Sequence, residues 1–373
     1  MRYIHIVQFH LMSGGGVGSV LTDLCEAMAK VSGEVYIISL FRREGIDFSV
    51  EQTWAAKKGI HVMLMQEKER ESSLSVFKKL RKTLKELSKD EECCLYLHLK
   101  MGVLMGILST LCMKNVKRVE VYHSGYLKYK LQAFFSPPFI RHYISVSKEA
   151  KQQLIDWFHV NEKKIDVVYN GVDVELIREI AQTDKKNGAL QFMSVGRLSF
   201  EKGFKTPIQA YAELRDSQKL QDTSYTMIGK GVQREECEAL SKGYVTFMGV
   251  IPREDVYKNI GSCDLMILPS LWEGNSILML EVLSLGKPMI LTDIPSFREV
   301  MGFEPLQENE SCRQEWFGAV FHKEDVEACK QAMCLVYNNR ELICSVTERI
   351  KKLGDKFSTK EQAKEYIRIA RES

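Results

Sequence analysis

Short apolar runs alternate with helical patterns along the whole chain, and that alternation leaves few folds open. Residues 4–9, 35–40, 62–65, 94–97, 119–122, 143–146 and 164–169 read as strands, with helical stretches such as 19–30 between most of them. After the polar segment 181–188 the pattern restarts, with strands over 190–195, 224–228, 245–248, 265–268 and 288–291. Such repetition predicts mainly parallel sheets packed between helices. The fold class expected is α/β, as two Rossmann-like domains over residues 1–182 and 189–357. A final amphipathic segment, 358–373, is expected to pack back on the first domain. In sheets of this kind ligands collect beyond the carboxyl ends of the strands. With two such domains the natural site is a cleft between them.

Composition narrows the classes further. The chain has 373 residues, 45% hydrophobic and 27% charged, which suits an ordinary globular protein. Its 52 basic and 49 acidic residues give a net charge of +3, too little for a nucleic-acid binder. Ten cysteines are scattered without a Cys-x-x-Cys pair and read as reduced thiols. The N-terminus opens on a strand pattern and not on a signal peptide, so a cytoplasmic location is expected. The longest apolar run, 101–113, is too short to span a bilayer.

Residues just after the strands are the ones to inspect. Ser13-Gly14-Gly15-Gly16-Val17-Gly18 follows the first strand, and its glycines either let backbone N–H groups approach an anion or simply make a tight turn. Arg197 ends a strand of the second half and Lys202 lies near the next helix. Together they could neutralise a diphosphate, although each alone reads as a solvated surface cation. Between Asn275 and Gly286 the chain is apolar almost throughout, yet Glu281 sits inside that run and Glu273 stands just ahead of it. A buried carboxylate needs a partner. Sugar and ribose hydroxyls suit these acids, and a neighbouring cation such as Lys287 is the competing partner for Glu281. Asn275 or Ser276 would cap the helix that carries Glu281. Two histidines, His98 and His123, follow strands of the first half. His123 is the better candidate to face a ligand. No Asp-x-Asp occurs, and no cluster has zinc-ligand spacing.

Taken in order, these features resemble glycosyltransferase family 4, retaining enzymes of the two-domain GT-B fold. The resemblance runs from the early glycine loop through Ile144-Ser145-Val146-Ser147-Lys148 and Tyr169-Asn170-Gly171-Val172-Asp173 to Val195-Gly196-Arg197-Leu198 with Lys202-Gly203. Ile228-Gly229-Lys230-Gly231, Phe247-Met248-Gly249, Glu273-Gly274 through Glu281, and Gly286-Lys287-Pro288 complete it. It implies that Arg197 and Lys202 bind the donor's diphosphate, that Glu281 accepts the ribose hydroxyls, and that Glu273 contacts the donor sugar. Gly15 and Gly16 would lie near the phosphates and acceptor, and His123 near the reacting carbon. Gly229, Gly231 and the backbone around Ile251 would border the base, with Asn275 and Ser276 on the donor side. No cofactor or metal is implied. Asn170-Gly171 and the 181–188 linker are expected as hinges. One departure stands out: Gly274-Asn275-Ser276-Ile277 replaces the Gly-Phe-Gly of many relatives, which leaves the donor sugar open.

The function implied is transfer of a sugar from a nucleotide-diphosphate sugar, a UDP-sugar favoured, to a saccharide or lipid-linked acceptor in cell-envelope polysaccharide or glycolipid synthesis. A nucleotide-sugar epimerase and a non-catalytic nucleotide-sugar-binding protein are the alternatives. Residues 76–90 form a basic amphipathic helix whose stripe either packs on the sheet or lies on an anionic membrane. A second aromatic and basic stretch, 126–135, extends the possible membrane contact on the cytoplasmic face.

Overall fold

The computed structural model describes residues 1–11, 16–43, 47–123, 138–182 and 188–373. They form two compact units, Met1–Val172 with Ser358–Ser373, and Asp173–Phe357. Both are Rossmann-like α/β units, as the alternation of patterns predicts. Gly15 and the stretch 126–135 lie outside the described residues.

The first unit holds β1 (Arg2–Phe9), β2 (Val35–Phe41), β3 (His61–Leu64), β4 (Cys93–His98), β5 (Val116–Tyr122), β6 (His142–Ser145) and β7 (Ile165–Val167). Their order in the sheet is β3-β2-β1-β4-β5-β6-β7, and every neighbouring pair is parallel. Side chains alternate across a strand. Ile4 and Ile6 of β1 therefore join one core, with Leu95, Leu97, Val76, Leu80 and Leu84, while Tyr3 and Val7 join the other, with Leu21, Leu24 and Tyr96. A parallel strand covered on both faces is apolar nearly throughout, which makes His5, fully buried in the middle of β1, an exception needing a reason.

The second unit holds β8 (Leu190–Val195), β9 (Thr223–Ile228), β10 (Val245–Gly249), β11 (Leu265–Leu268), β12 (Met289–Thr292), β13 (Cys312–Glu315) and β14 (Gly318–Phe321). Here the order is β10-β9-β8-β11-β12-β14-β13, parallel except for the β13–β14 hairpin. That hairpin is absent from the sequence reading. Cys312-Arg313-Gln314-Glu315 has no apolar alternation, because the edge strand is held by charge: Arg313 pairs with Glu310 at 2.8 Å and with Glu315 at 2.9 Å.

The boundary between units also falls earlier than composition suggests. Helix Val174–Ile180 belongs to the second unit, where Arg178 donates to Ser284 O at 2.8 Å and to Lys351 O at 3.2 Å, and pairs with Asp355 at 2.8 Å. Ala181 and Gln182 thus belong to the second unit, while residues 183–187 of the polar segment lie outside the described residues. Helix Thr359–Glu372 packs on the first unit, with Ala363, Tyr366, Ile367, Ile369 and Ala370 in its core and Tyr96 Oη donating to Tyr366 O at 2.6 Å. Val172 bridges Ser358, and Gly171 N donates to Gln362 Oε1 at 2.9 Å.

The basic helix Ser73–Leu87 settles the use of its stripe. Val76, Leu80 and Leu84 are buried in the first core, with Phe77 and Leu87 packed against it, so this stripe is not available to a membrane. Lys78, Lys82 and Lys85 form its exposed face. Among the described residues no helix is long and apolar enough to cross a membrane.

A methyl group on Gly171 would lie 2.6 Å from Ser358 C and O and from Thr359 N. Backbone cannot yield as a flexible side chain does, so Gly171→Ala should destabilise the first unit by about 1–3 kcal/mol. Hydrogen exchange should show the loss concentrated in Thr359–Glu372; unchanged protection there would contradict this packing.

Candidate functional site

Among the parallel strands of each sheet the chain order reverses at one point: between β1 and β4 in the first unit, and between β8 and β11 in the second. Loops leaving the two strands at such a point diverge and leave room for a ligand at their carboxyl ends. In the second unit the loop after β8 carries Arg197 and Lys202, and the loop after β11 carries Glu273. Sequence separation hides this meeting; the sheet order produces it.

The two loops are joined by backbone before any side chain is considered. Leu271 N donates to Glu201 O at 2.9 Å. Gly203 stands at φ 64°, and a β-carbon there would come within 2.2 Å of Pro269 O. Only glycine fits such a contact. On this frame Lys202 Nζ pairs with Glu273 Oε1 at 2.6 Å, and Ser270 Oγ donates to the same oxygen at 2.8 Å. Glu201 accepts from Ser199 Oγ at 2.6 Å; burial works against its ionisation, but that hydrogen bond and the charges of Arg197 and Lys202 hold its carboxyl below the usual range. Arg197 is exposed.

The loop after β9 closes the other side. Gly196 N donates to Ile228 O, Leu198 N to Lys230 O at 3.0 Å, and Gly229 N to Gly249 O at 2.7 Å. A β-carbon on Gly229 would sit 1.8 Å from Gly196 O, and one on Gly231 would sit 2.1 Å from Leu198 O. These two glycines are demanded by backbone packing, whatever else borders them. Ile251 lies just beyond β10 and is partly buried, beside exposed Val250.

Glu281 lies on the buried face of helix Ile277–Ser284, whose residues 279 to 284 are all buried. Its Oε1 accepts from Tyr257 Oη at 3.0 Å and from Arg253 at 3.3 Å, both on helix Arg253–Ser262. The sequence reading names neither partner. Lys287, its suggested cation, donates to Gly261 O at 2.6 Å and Cys263 O at 2.8 Å. Ser276 occupies the N-cap position but makes no side-chain cap bond, and both Asn275 and Ser276 are buried.

In the first unit, Gly16 opens helix Gly16–Ser32 with no atom within 4 Å of where a β-carbon would be, whereas one on Gly18 would lie 2.4 Å from Leu11 O. His123 does not stand alone. His98 Nδ1 lies 2.9 Å from His123 Nε2, and His98 Nε2 lies 3.0 Å from His5 Nδ1. The three rings come from β1, the end of β4 and the residue after β5, three consecutive strands of the sheet. Burial pushes His5 down to about 3 and His123 down to about 4, with the neighbouring charge of His123 adding to the effect on His5.

With that geometry in place, similarity to known proteins can be weighed. Residues 14–176 match the family model described as Glycosyltransferase Family 4, and residues 177–353 match Glycosyl transferases group 1. The chain belongs to these glycosyltransferases. It is 31% identical over 162 residues to the N-acetylgalactosamine-N,N'-diacetylbacillosaminyl-diphospho-undecaprenol 4-alpha-N-acetylgalactosaminyltransferase of Campylobacter jejuni, covering 42% of each chain. It is 28% identical over 183 residues to the UDP-Gal:alpha-D-GlcNAc-diphosphoundecaprenol alpha-1,3-galactosyltransferase of Escherichia coli, covering 45% of this chain and 46% of that one. The chain thus spans about half the length of the curated relatives it matches. The fold is shared with Anabaena HepE, solved in complex with UDP, at TM-score 0.77 and 12% identity over 100% of both chains.

The depressed histidines make stability depend on pH with a definite sign. An unfolded histidine binds its proton near pH 6.5, while folded His5 and His123 remain neutral down to about 3 and about 4. In that window the unfolded state binds more protons, so stability falls as pH falls. Denaturant midpoints should decline from about pH 7 to about pH 5, and less steeply in His5→Phe. Parallel slopes for the two proteins would show that His5 titrates normally.

Proposed function

We propose that this chain transfers a sugar, with retention of anomeric configuration, from a nucleotide-diphosphate sugar to a hydroxyl of a saccharide or lipid-linked acceptor. The observation that carries the proposal is the pairing of Lys202 with Glu273 where the β8 and β11 loops diverge, with Arg197 on the same β8 loop and Glu281 held on Tyr257 and Arg253. Family membership narrows the chemistry to glycosyl transfer. A UDP-sugar is the favoured donor, because the structural neighbour Anabaena HepE was solved with UDP and with UDP-glucose, and the name of the Escherichia coli relative specifies UDP-Gal.

Each residue has a part in this reading. Arg197 and Lys202 take the diphosphate and stabilise the charge that develops as it leaves, as fixed cations do best when no reorganisation is required. Glu273 both positions Lys202 and accepts from a hydroxyl of the donor sugar. Glu281 accepts from the ribose hydroxyls. Gly229, Gly231 and Ile251 border the base, and Asn275 and Ser276 present the N-terminus of helix Ile277–Ser284. The bond from the anomeric carbon to the diphosphate oxygen breaks as the bond to the acceptor oxygen forms. The acceptor's proton passes to the departing phosphate oxygen, and no metal is required. Gly15, Gly16 and His123 serve the acceptor side and the sugar. Synthesis of a cell-envelope polysaccharide or glycolipid is the setting; the names of the two bacterial relatives specify acceptors linked to diphospho-undecaprenol.

A thermal-shift panel of UDP-, GDP- and ADP-sugars without added metal tests this. At about a hundred times Kd, one nucleotide class should raise Tm by about 5 °C or more. Arg197→Ala and Glu281→Gln should each abolish the rise. Variants that respond as the parent does would remove these residues from the donor site.

A further inference from the structure

The three stacked-in-line imidazoles of the first unit form one hydrogen-bonded chain, and its direction decides what His123 can do. A neutral imidazole has one N–H and one bare nitrogen. The contacts at 3.0 Å and 2.9 Å each need one N–H and one bare nitrogen facing each other. With three neutral rings, all must therefore donate in the same sense. Either each ring donates from Nδ1, towards His123, or each donates from Nε2, towards His5.

The inner end distinguishes the two. His5 is wholly buried beside Tyr96, with ring centroids 4.8 Å apart, and Tyr366, at 6.4 Å, and its Nε2 has no hydrogen-bond partner among the described residues. Donation towards His5 would leave an N–H stranded at that position. An orphaned buried N–H is among the rarest defects in folded proteins, rarer than an under-used acceptor. We infer that the chain runs outward: His5 and His98 are positioning residues that hold His123 neutral, with its proton on Nδ1 as a donor to an oxygen of a bound sugar.

Two further observations support it. His98 stands at the N-cap position of helix Leu99–Ser109, yet makes no side-chain cap bond; its ring is committed to the other two histidines. The next residue, Leu99, adopts φ 59°, an uncommon conformation for a side-chain-bearing residue, so that the helix starts directly at the strand end. Strain of this kind persists where surrounding structure imposes it, often at working sites. The positive end of that helix also disfavours a charged imidazole at its start. Burial agrees, holding His98 well below the usual histidine range.

There is a chemical consequence. The bare Nε2 of His123 already receives the proton of His98, so His123 has no lone pair to offer the acceptor hydroxyl. It donates a hydrogen bond and takes no proton. Nor is the row a proton wire, since His5 has nowhere to pass a proton. That the recipient oxygen belongs to a sugar rests on the donor reading above; the tautomer does not.

Long-range nitrogen–proton NMR of the free, full chain with nitrogen-15-labelled histidine tests the tautomers without any substrate. Near neutral pH, His5, His98 and His123 should all show a protonated Nδ1 and a bare Nε2. Protonation of His123 at Nε2, or an imidazolium on any of the three, would overturn the inference. In His98→Leu the outward direction is no longer imposed, and His123 should become a mixture of both tautomers; in His5→Phe the buried His98 becomes the inner end and the outward direction should persist. An unchanged His123 signature in folded His98→Leu would remove His98 from the positioning role, and a mixture in folded His5→Phe would overturn the argument from the inner end. A UDP-sugar thermal shift run beside it keeps the two readings separate: losing the shift sinks the donor site and leaves the tautomer result intact.

Discussion

The second unit depends on a backbone-to-backbone contact between two loops that leave neighbouring strands. Gly203 lets the β8 loop lie against Pro269, and Leu271 N donates to Glu201 O across the same seam. Once the loops are fixed in this way, Lys202 and Glu273 meet at 2.6 Å with little freedom to be elsewhere. A surface ion pair is ordinarily worth little. This one is partly buried and preset by the main chain, so its value lies in holding a cation and a carboxylate at fixed positions beside the loop that carries Arg197. The glycines after β9 repeat the device on the other side, pressing their loop onto Gly196 and Leu198.

The two units solve one problem with different residues. In each, the parallel strands reverse their order at one point, and polar side chains gather there. The second unit places opposite charges there. The first places neutral rings, buried in a row over three consecutive strands. Charge suits a phosphate-bearing ligand; uncharged donors suit hydroxyls, which a fixed cation would discriminate poorly.

Much of this was legible in the sequence, and the losses have physical causes. Apolar periodicity located twelve of the strands, because strands buried on both faces must be apolar almost throughout. It missed β13, whose Arg313 is held by two glutamates, and with it β14, a buried run of only four residues, Gly318–Phe321. Arg197, Lys202, Glu273 and Glu281 were readable as strand-end and buried charges, but the pairing of Lys202 with Glu273 was not, since it exists only once β8 and β11 are neighbours. Arg253 and Tyr257 look like ordinary helix residues until Glu281 is seen to need them. His5 was passed over because a strand pattern tolerates one polar residue; its meaning comes from what lies beside it. The unit boundary was misplaced because a polar loop and a linker have the same composition, and only the docking of Arg178 tells them apart.

The return of helix Thr359–Glu372 to the first unit bears on how the molecule is made. Tyr366 walls the pocket of His5, and Val172 bridges Ser358, so the core begun by β1 is finished by residues translated after the entire second unit. On the ribosome the usual order, in which the leading segment folds before later ones, is inverted here. Asp173–Phe357 has its whole complement of residues while its predecessor still lacks one wall, and the nascent first half must wait, incomplete, for the tail to emerge.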